Sequence, residues 1–309
     1  MRLRILGSAA GGGLPQWNCA CPNCVEARSA LGRVRPRTQD AMALDLGDGA
    51  WVLVNASPDI HRQIQATPDL WPAVATEGGR STPIAGVILT NGDLDHTLGL
   101  FSLRENTPFT LHATEAVHRG LVEGNTMFRT LQRFPGQVRF EPLTLERPLA
   151  LPGRDGRPSG VSVTPIPLPG KVAKHLEGLA AGSPEDNVGL WLHDERTGKR
   201  LVIASSTGAL GDYVGLLDGA DACVFDGTFW SSDELVRLGL GTARAEDMAH
   251  LPIGGPQGSL ALLAGVTARR KVFTHINNTN PILAEGSPER RAVEAAGWEV
   301  AEDGLVLDL

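Results

Sequence analysis

Short apolar runs of four to six residues, separated by Gly, Pro and Asp, recur along the chain. Arg2–Leu6, Ala41–Leu46 and Trp51–Val54 predict strands, and Gly47-Asp48-Gly49 between the last two is a hairpin turn signal. Val87–Thr90, Phe109–Ala113, Gly160–Pro165, Val188–His193, Arg200–Ala204, Ala222–Phe225 and Lys271–Thr274 predict further strands. Several of these are apolar at nearly every position, the pattern of a sheet covered on both faces. Helices start at legible caps. Ser57-Pro58-Asp59 and Ser287-Pro288-Glu289 each offer a capping hydroxyl, a proline for the first turn and an acid beside it. Gly258–Val266 reads as an apolar helix, and Pro152–Ser159 and Leu179–Asp186 as loops. Strands that later alternate with helices imply an α/β chain, two packed mixed sheets with outer helices, in a single domain spanning residues 1–309.

Composition narrows the function. The 309 residues carry 42% hydrophobic and 20% charged positions, and the formal net charge is −7. No basic stripe accompanies that charge, so nucleic acid is not the expected partner. No apolar run reaches the length of a membrane span. The opening Met1-Arg2-Leu3-Arg4-Ile5-Leu6-Gly7 enters a strand pattern rather than a leader, so a cytoplasmic protein is expected.

The chemistry gathers at strand ends. Val87–Thr90 runs into Asn91-Gly92-Asp93-Leu94-Asp95-His96, which offers two carboxylates and an imidazole within four positions. That set suits a hard or borderline cation such as iron or manganese; the alternative is a charged turn with an N-capping aspartate. Ala222–Phe225 ends at Asp226 and Lys271–Thr274 at His275, so three apolar strands each end in a metal-capable residue. Cys19, Cys21 and Cys24 form a Cys-x-Cys-x-x-Cys loop, suited either to structural zinc or to three reduced thiols. Gly11-Gly12-Gly13 before it lacks the Lys-Ser/Thr of a phosphate loop and reads as a backbone turn. His250 precedes the apolar helix and by itself reads as a capping or surface histidine.

The order of these segments resembles the metallo-β-lactamase fold, an αββα sandwich. Against its His-x-His-x-Asp-His signature, Asn91 and Asp93 replace the two leading histidines while Asp95 and His96 match. Asp226 resembles the bridging aspartate and His275 the last histidine, and Pro169-Gly170-Lys171 stands where Pro-Gly-His is usual. The resemblance thus implies one catalytic metal, held by Asp95, His96 and His275, with Asp93 and Asp226 as further ligands or as bases. The Lys171 ammonium takes the place of a second cation's charge. A phosphodiesterase branch of the fold completes a similar cysteine cluster with a histidine where this chain has Asn278; the fourth zinc ligand is Asn278, another side chain or water.

Asn55-Ala56-Ser57-Pro58-Asp59-Ile60, Asp186-Asn187-Val188-Gly189, His250-Leu251-Pro252-Ile253 and Thr274–Pro281 narrow the resemblance to the PqqB family of pyrroloquinoline quinone (PQQ) biosynthesis, over the whole chain. It implies an Fe(II)- and O2-dependent hydroxylase that acts on the tyrosine moiety of a Glu-Tyr intermediate, with structural Zn(II) at the cysteines. Lys171 would hold a substrate carboxylate and His250 a proton. A non-catalytic carrier of the quinone toward the periplasm, and a metal-dependent hydrolase, are the competing readings. Contact with other proteins of the pathway, homodimer formation and no membrane association complete the expectations.

Overall fold

A computed structural model gives the fold and describes residues 1–29, 32–73 and 80–309. In chain order the strands are β1 (Arg2–Gly7), β2 (Ala41–Asp45), β3 (Trp51–Val54), β4 (Ile84–Ile88), β5 (Phe109–Ala113), β6 (Val138–Pro142), β7 (Leu149–Pro152), β8 (Pro158–Pro167), β9 (Val188–Asp194), β10 (Lys199–Ala204), β11 (Ala222–Asp226), β12 (Arg270–Thr274), β13 (Glu299–Val300) and β14 (Val306–Asp308). The helices are α1 (Pro22–Ala27), α2 (Ile60–Gln65), α3 (Leu94–Thr97), α4 (Glu115–Gly124), α5 (Glu234–Arg237), α6 (Ser259–Leu262) and α7 (Pro288–Ala295).

Among the described residues the strands form two seven-stranded sheets, ordered β14-β1-β2-β3-β4-β5-β6 and β13-β12-β11-β10-β9-β8-β7. Both are mixed in the same way: in each, antiparallel pairs occupy one half and parallel pairs the other. Alternation along each strand sends one set of side chains between the sheets and the other outward. Leu3, Ile5, Val52, Val54 and Ile88 meet Val163, Leu190, Leu201, Val224 and Val272 in the middle layer. Leu53, Val87 and Leu111 face outward and are covered by Ile60 of α2 and by Val117 and Leu121 of α4. Cys223, Phe225 and Phe273 face outward from the other sheet and pack with Val293 of α7 and Trp298. Covering both faces of each sheet gives the αββα sandwich and explains the near-continuous apolar runs. Each fully buried Val, Leu or Ile contributes about 1.5–3 kcal/mol.

Several expected boundaries shift. Strand β4 ends at Ile88, because Thr90 is drawn into the site: its N–H donates to Asn55 Oδ1 at 3.1 Å, and its carbonyl accepts from Val188 N at 2.8 Å. Helix α2 begins at Ile60 with Asp59 as N-cap; Ser57 turns inward to bond Gln63 instead. The apolar helix expected over Gly258–Val266 covers only Ser259–Leu262. The cap at Ser287 forms as expected, its hydroxyl accepting from Arg290 N at 3.0 Å. Pattern reading misses β6, β7, β13 and β14, which are short or lie at or near sheet edges, where half-exposed positions blur the alternation.

Parallel pairing brings the carboxyl ends of β3, β4, β11 and β12 to one end of the sandwich. The sheets are tied together there. Ala9 bridges both Gln39 and Ile276, Ala10 N donates to the Ile276 carbonyl, and Asn91 bridges Asn187. The Asn55–Ser57 loop packs on the chain after α3: Ala56 N donates to the His96 carbonyl, and Gly99 N to that of Ala56. A Cβ at Gly99 would stand 2.1 Å from the Ser57 carbonyl oxygen, so only glycine fits.

Gly99→Ala is therefore expected to cost about 1–3 kcal/mol as the loop is pushed off α3, read as a lowered melting temperature together with weaker metal uptake. His112, on β5, supplies a pH signature. It is fully buried, neither ring nitrogen has a hydrogen-bond partner, and Glu141 lies 3.7 Å away. Burial, with Arg139 adding to it, pulls its pKa down to about 4. The folded state thus binds fewer protons than the unfolded chain, whose histidines titrate near about 6.5. This contribution is complete above that pH and is lost as pH falls through the folded value. Melting temperatures from pH 7 to 4 should fall less steeply in His112→Leu.

Candidate metal centre

The carboxyl ends of β4, β11 and β12 open into a cleft of about 310 Å³, lined among others by Asp93, Asp95, His96, Lys171, His250 and His275. Backbone strain gathers around it. Asn55 (φ 62°), Ala249 (φ 60°) and His275 (φ 54°) all adopt the left-handed conformation that side chains other than glycine rarely take.

Donor atoms of Asp95, His96 and His275 lie within 4.8 Å of one another. Asp95 Oδ2 is 3.2 Å from His275 Nε2 and 3.9 Å from His96 Nε2, and Asp40 Oδ2 is 3.7 Å from the latter. The last two distances are too long for hydrogen bonds, and His96 Nε2 is buried with no partner. A buried ring nitrogen aimed between two carboxylates, beside a second imidazole, fits a divalent cation; a structure without one would leave a costly unpaired group. Burial works against charge on His275, but its bond to Asp95 and the charges of Asp95, Asp40 and Asp226 outweigh burial and hold its pKa at about 9. Burial likewise opposes ionisation of Asp95, yet His96 and His275 keep its carboxyl well below the usual range. Burial pushes the Asp40 carboxyl up.

A second group, Asp226, His250 and His275, adjoins the first and shares its last histidine. Asp226 is fully buried and its oxygens are engaged. Oδ2 accepts from Thr207 N at 2.8 Å and pairs with His250 Nδ1 at 2.7 Å; Oδ1 accepts from Thr228 N at 2.9 Å and the Thr228 hydroxyl at 2.6 Å. The carboxylate therefore orients its neighbours as much as it offers a ligand. His250 lines the cleft with an edge-on contact to Phe229 at 6.0 Å.

Asp93 also lines the cleft but stands outside both donor groups. It is the N-cap of α3, and its Oδ1 accepts from Lys174 N at 3.2 Å. Lys171 lies at the cleft and pairs with Glu177 at 3.4 Å. Asn91 is buried and turned to Asn187. The glycine turn closes over the site: a Cβ on Gly11 would lie 3.2 Å from Asp95 Oδ2.

At the amino-terminal loop the sulfurs of Cys19, Cys21 and Cys24 converge. The side-chain amide of Asn278 lies 3.2, 3.5 and 3.3 Å from them. A tetrahedral zinc with Zn–S of about 2.3 Å and Zn–O of about 2.0 Å separates sulfur and oxygen ligands by about 3.5 Å. Asn278 thus stands where a fourth ligand is needed, its oxygen reaching the position when the amide is turned over. Burial pushes the Cys21 thiol up to about 12; for Cys19, bonds from Cys21, Cys24 and Asn278 overcome burial and lower it.

Asp40, Thr90, Thr228 and Lys174 belong to the centre and escape motif reading. Asp40 precedes β2 far from any signature, the threonines look like strand-end residues, and Lys174 opens a single 3-10 turn (Lys174–Leu176) that no pattern announces.

A beta-lactamase superfamily domain matches residues 50–276. Coenzyme PQQ synthesis protein B of Methylobacterium radiotolerans is 45% identical, covering 100% of both chains, and that of Bradyrhizobium diazoefficiens is 43% identical, again over both full lengths. The crystal structure of Zn(2+)-bound PqqB from Methylobacterium extorquens superposes with a TM-score of 0.90 at 44% identity, covering 100% of both chains. A diphosphatase of the PhnP family shares the fold, with a TM-score of 0.66 at 19% identity over 100% of this chain and 97% of that one.

Cys24→Ser is expected to lose the loop's zinc, and Asn278→Ala to bind it more weakly. Elemental analysis during chelator titration measures both, and an unchanged zinc content in Cys24→Ser would remove the cysteines from the ligand set.

Proposed function

The chain belongs to the coenzyme PQQ synthesis protein B family of the β-lactamase superfamily, and from that premise we propose that it serves PQQ biosynthesis as an iron- and O2-dependent hydroxylase of the tyrosine moiety in a Glu-Tyr intermediate. The observation that carries this reading is the unpartnered Nε2 of His96 beside His275 and Asp95. Two imidazoles and a carboxylate form the donor set of non-haem Fe(II) centres that keep positions open. Bound there, iron would supply the redox chemistry by which O2 reacts with the ring.

The protein's own residues do the rest. Asp95, His96 and His275 hold the cation, while Asp226 stays engaged with Thr207, Thr228 and His250. His250 lines the cleft with its Nδ1 held on Asp226 and can take or return a phenolic proton. Asp93, fixed by the Lys174 N–H, is a second base at the mouth. Lys171 and Lys174 give the cleft two ammonium groups, suited to a substrate with several carboxylates. Lys171 shares its charge with Glu177, whereas no ion pair engages Lys174 among the described residues, so Lys174 is the stronger anchor. Each hydroxylation places one oxygen atom on the ring, releases the other as water and draws two electrons from a reductant.

A hydrolytic centre of two metals is disfavoured. Asn91 is buried against Asn187, the oxygens of Asp226 are already engaged by Thr207, Thr228 and His250, and Lys171 adds positive charge to the cleft.

Protein loaded anaerobically with Fe(II), given the Glu-Tyr intermediate and then O2, should release oxygenated product, and Asp95→Ala should abolish it. An iron-loaded wild type that leaves the authentic substrate unchanged would overturn the reading. Lys174→Gln is expected to raise KM about tenfold with kcat nearly unchanged, the loss of one charge-assisted contact.

A further inference from the structure

We propose that two threonine hydroxyls, Thr90 and Thr228, are positioning residues that decide which ring nitrogen His96 and His275 present to the cation. The inference rests on the reading that these histidines hold a metal, and not on hydroxylation. It follows from counting protons. A threonine hydroxyl has one proton to donate, and it accepts whatever else approaches.

Thr228 Oγ1 is buried among four neighbours: Asp226 Oδ1 at 2.6 Å, the His275 carbonyl at 2.9 Å, His275 Nδ1 at 2.9 Å and His250 Nδ1 at 3.1 Å. Its proton goes to the carboxylate, which is the closest acceptor and the charged one. His250 Nδ1 is closer to Asp226 Oδ2, at 2.7 Å, and donates there. His275 Nδ1 is left facing an oxygen whose proton is spent, so it must carry a hydrogen and donate it. In the neutral ring that would take a cation, the lone pair then belongs to Nε2, the nitrogen that faces Asp95. With that proton committed to Asp226, the 2.9 Å approach of the hydroxyl to the His275 carbonyl carries no hydrogen bond, and the Nδ1 bond alone orients the ring on a backbone already held at φ 54°.

Thr90 repeats the device on the other sheet. Asn55 Oδ1 accepts from the Thr90 backbone N–H at 3.1 Å, which fixes that amide's orientation, and the Thr90 hydroxyl donates to the same oxygen at 3.0 Å. His96 Nδ1, 3.3 Å from the hydroxyl, must then be the donor. Its Nε2 is the buried nitrogen without a partner. Both histidines therefore offer Nε2, and each is oriented by a hydroxyl whose proton is committed elsewhere.

The test uses Zn(II) as probe, with the cysteine loop as internal control for folding. Thr228→Val keeps the shape and removes the hydroxyl, while Thr228→Ser keeps the hydroxyl. In chelator competition Thr228→Val should weaken the zinc held outside the cysteines by about 10–100-fold, and Thr228→Ser by less than about threefold, with the cysteine zinc unchanged in both. Long-range proton–nitrogen NMR of histidine-labelled, zinc-loaded wild type should show His275 and His96 protonated at Nδ1 and metal-bound at Nε2. Metal bound through Nδ1, or a Thr228→Val protein that binds as wild type does, overturns the proposal. Wild type that takes zinc only at the cysteines overturns the metal reading beneath it. Should Thr228→Val lose its cysteine zinc too, it is misfolded, and the wild-type spectrum decides.

Discussion

Asp40 and Asp226 lie fully buried behind the side chains of the cleft, against His96 and His250, while Asp95 lines it, and the architecture around the site answers to that fact. An ionised carboxylate removed from water costs several kcal/mol unless partners replace its hydration. Asp226 is met by two backbone N–H groups, a hydroxyl and an imidazole, so its charge is settled within the protein. Asp95 has His275 and a distant His96, and Asp40 has a 3.3 Å bond from Asn55 beside the same His96. The unbalanced part of the site thus lies between Asp95, Asp40, His96 and His275, and it is there that a cation would complete the pairing.

Holding these groups together requires strands from both sheets to end at one place. β4 brings Asp95 and His96 from the first sheet; β11 and β12 bring Asp226 and His275 from the second. The amino-terminal loop crosses between them, and its Ala9 and Ala10 pair with Ile276, next to His275. Three residues beyond His275, Asn278 reaches the cysteine cluster, while Asn23 donates to the carbonyls of Asn278 and Asn280. The cysteine loop and the cleft therefore share one short backbone segment, and order imposed at the cysteines passes to the left-handed turn that carries His275.

Much of this was legible. The metal-capable strand ends Asp95, His96, Asp226 and His275 stand out because each interrupts an apolar run, and the cysteine spacing stands out because three thiols in six positions need a common purpose. Asp40 did not stand out: an acid just before a strand is ordinary, and only pairing of β2 with β3 brings it to His96 through Asn55. Thr228 hides for a similar reason, since an Asp-Gly-Thr turn has many uses and its hydroxyl acquires a role only when β12 delivers His275 beside it. The edge strands escaped because their exposed positions carry no burial constraint, and the helix over 259–262 proved shorter than its apolar run because the backbone leaves the helical conformation at Leu263, where Val266 N turns back onto the Leu263 carbonyl.

By itself the sequence determined the layers: apolar runs of strand length demand cover on both faces, and two sheets with outer helices provide it. It also determined which chemistry was on hand, three carboxylates and two imidazoles at strand ends and three thiols in one loop. The tertiary structure decided how those groups are used, because hydrogen-bond partners lie far apart in the chain and a proton's place depends on all of them at once. It made Asp226 a carboxylate engaged on both oxygens, left His96 Nε2 bare and turned two ordinary threonines toward two histidine rings.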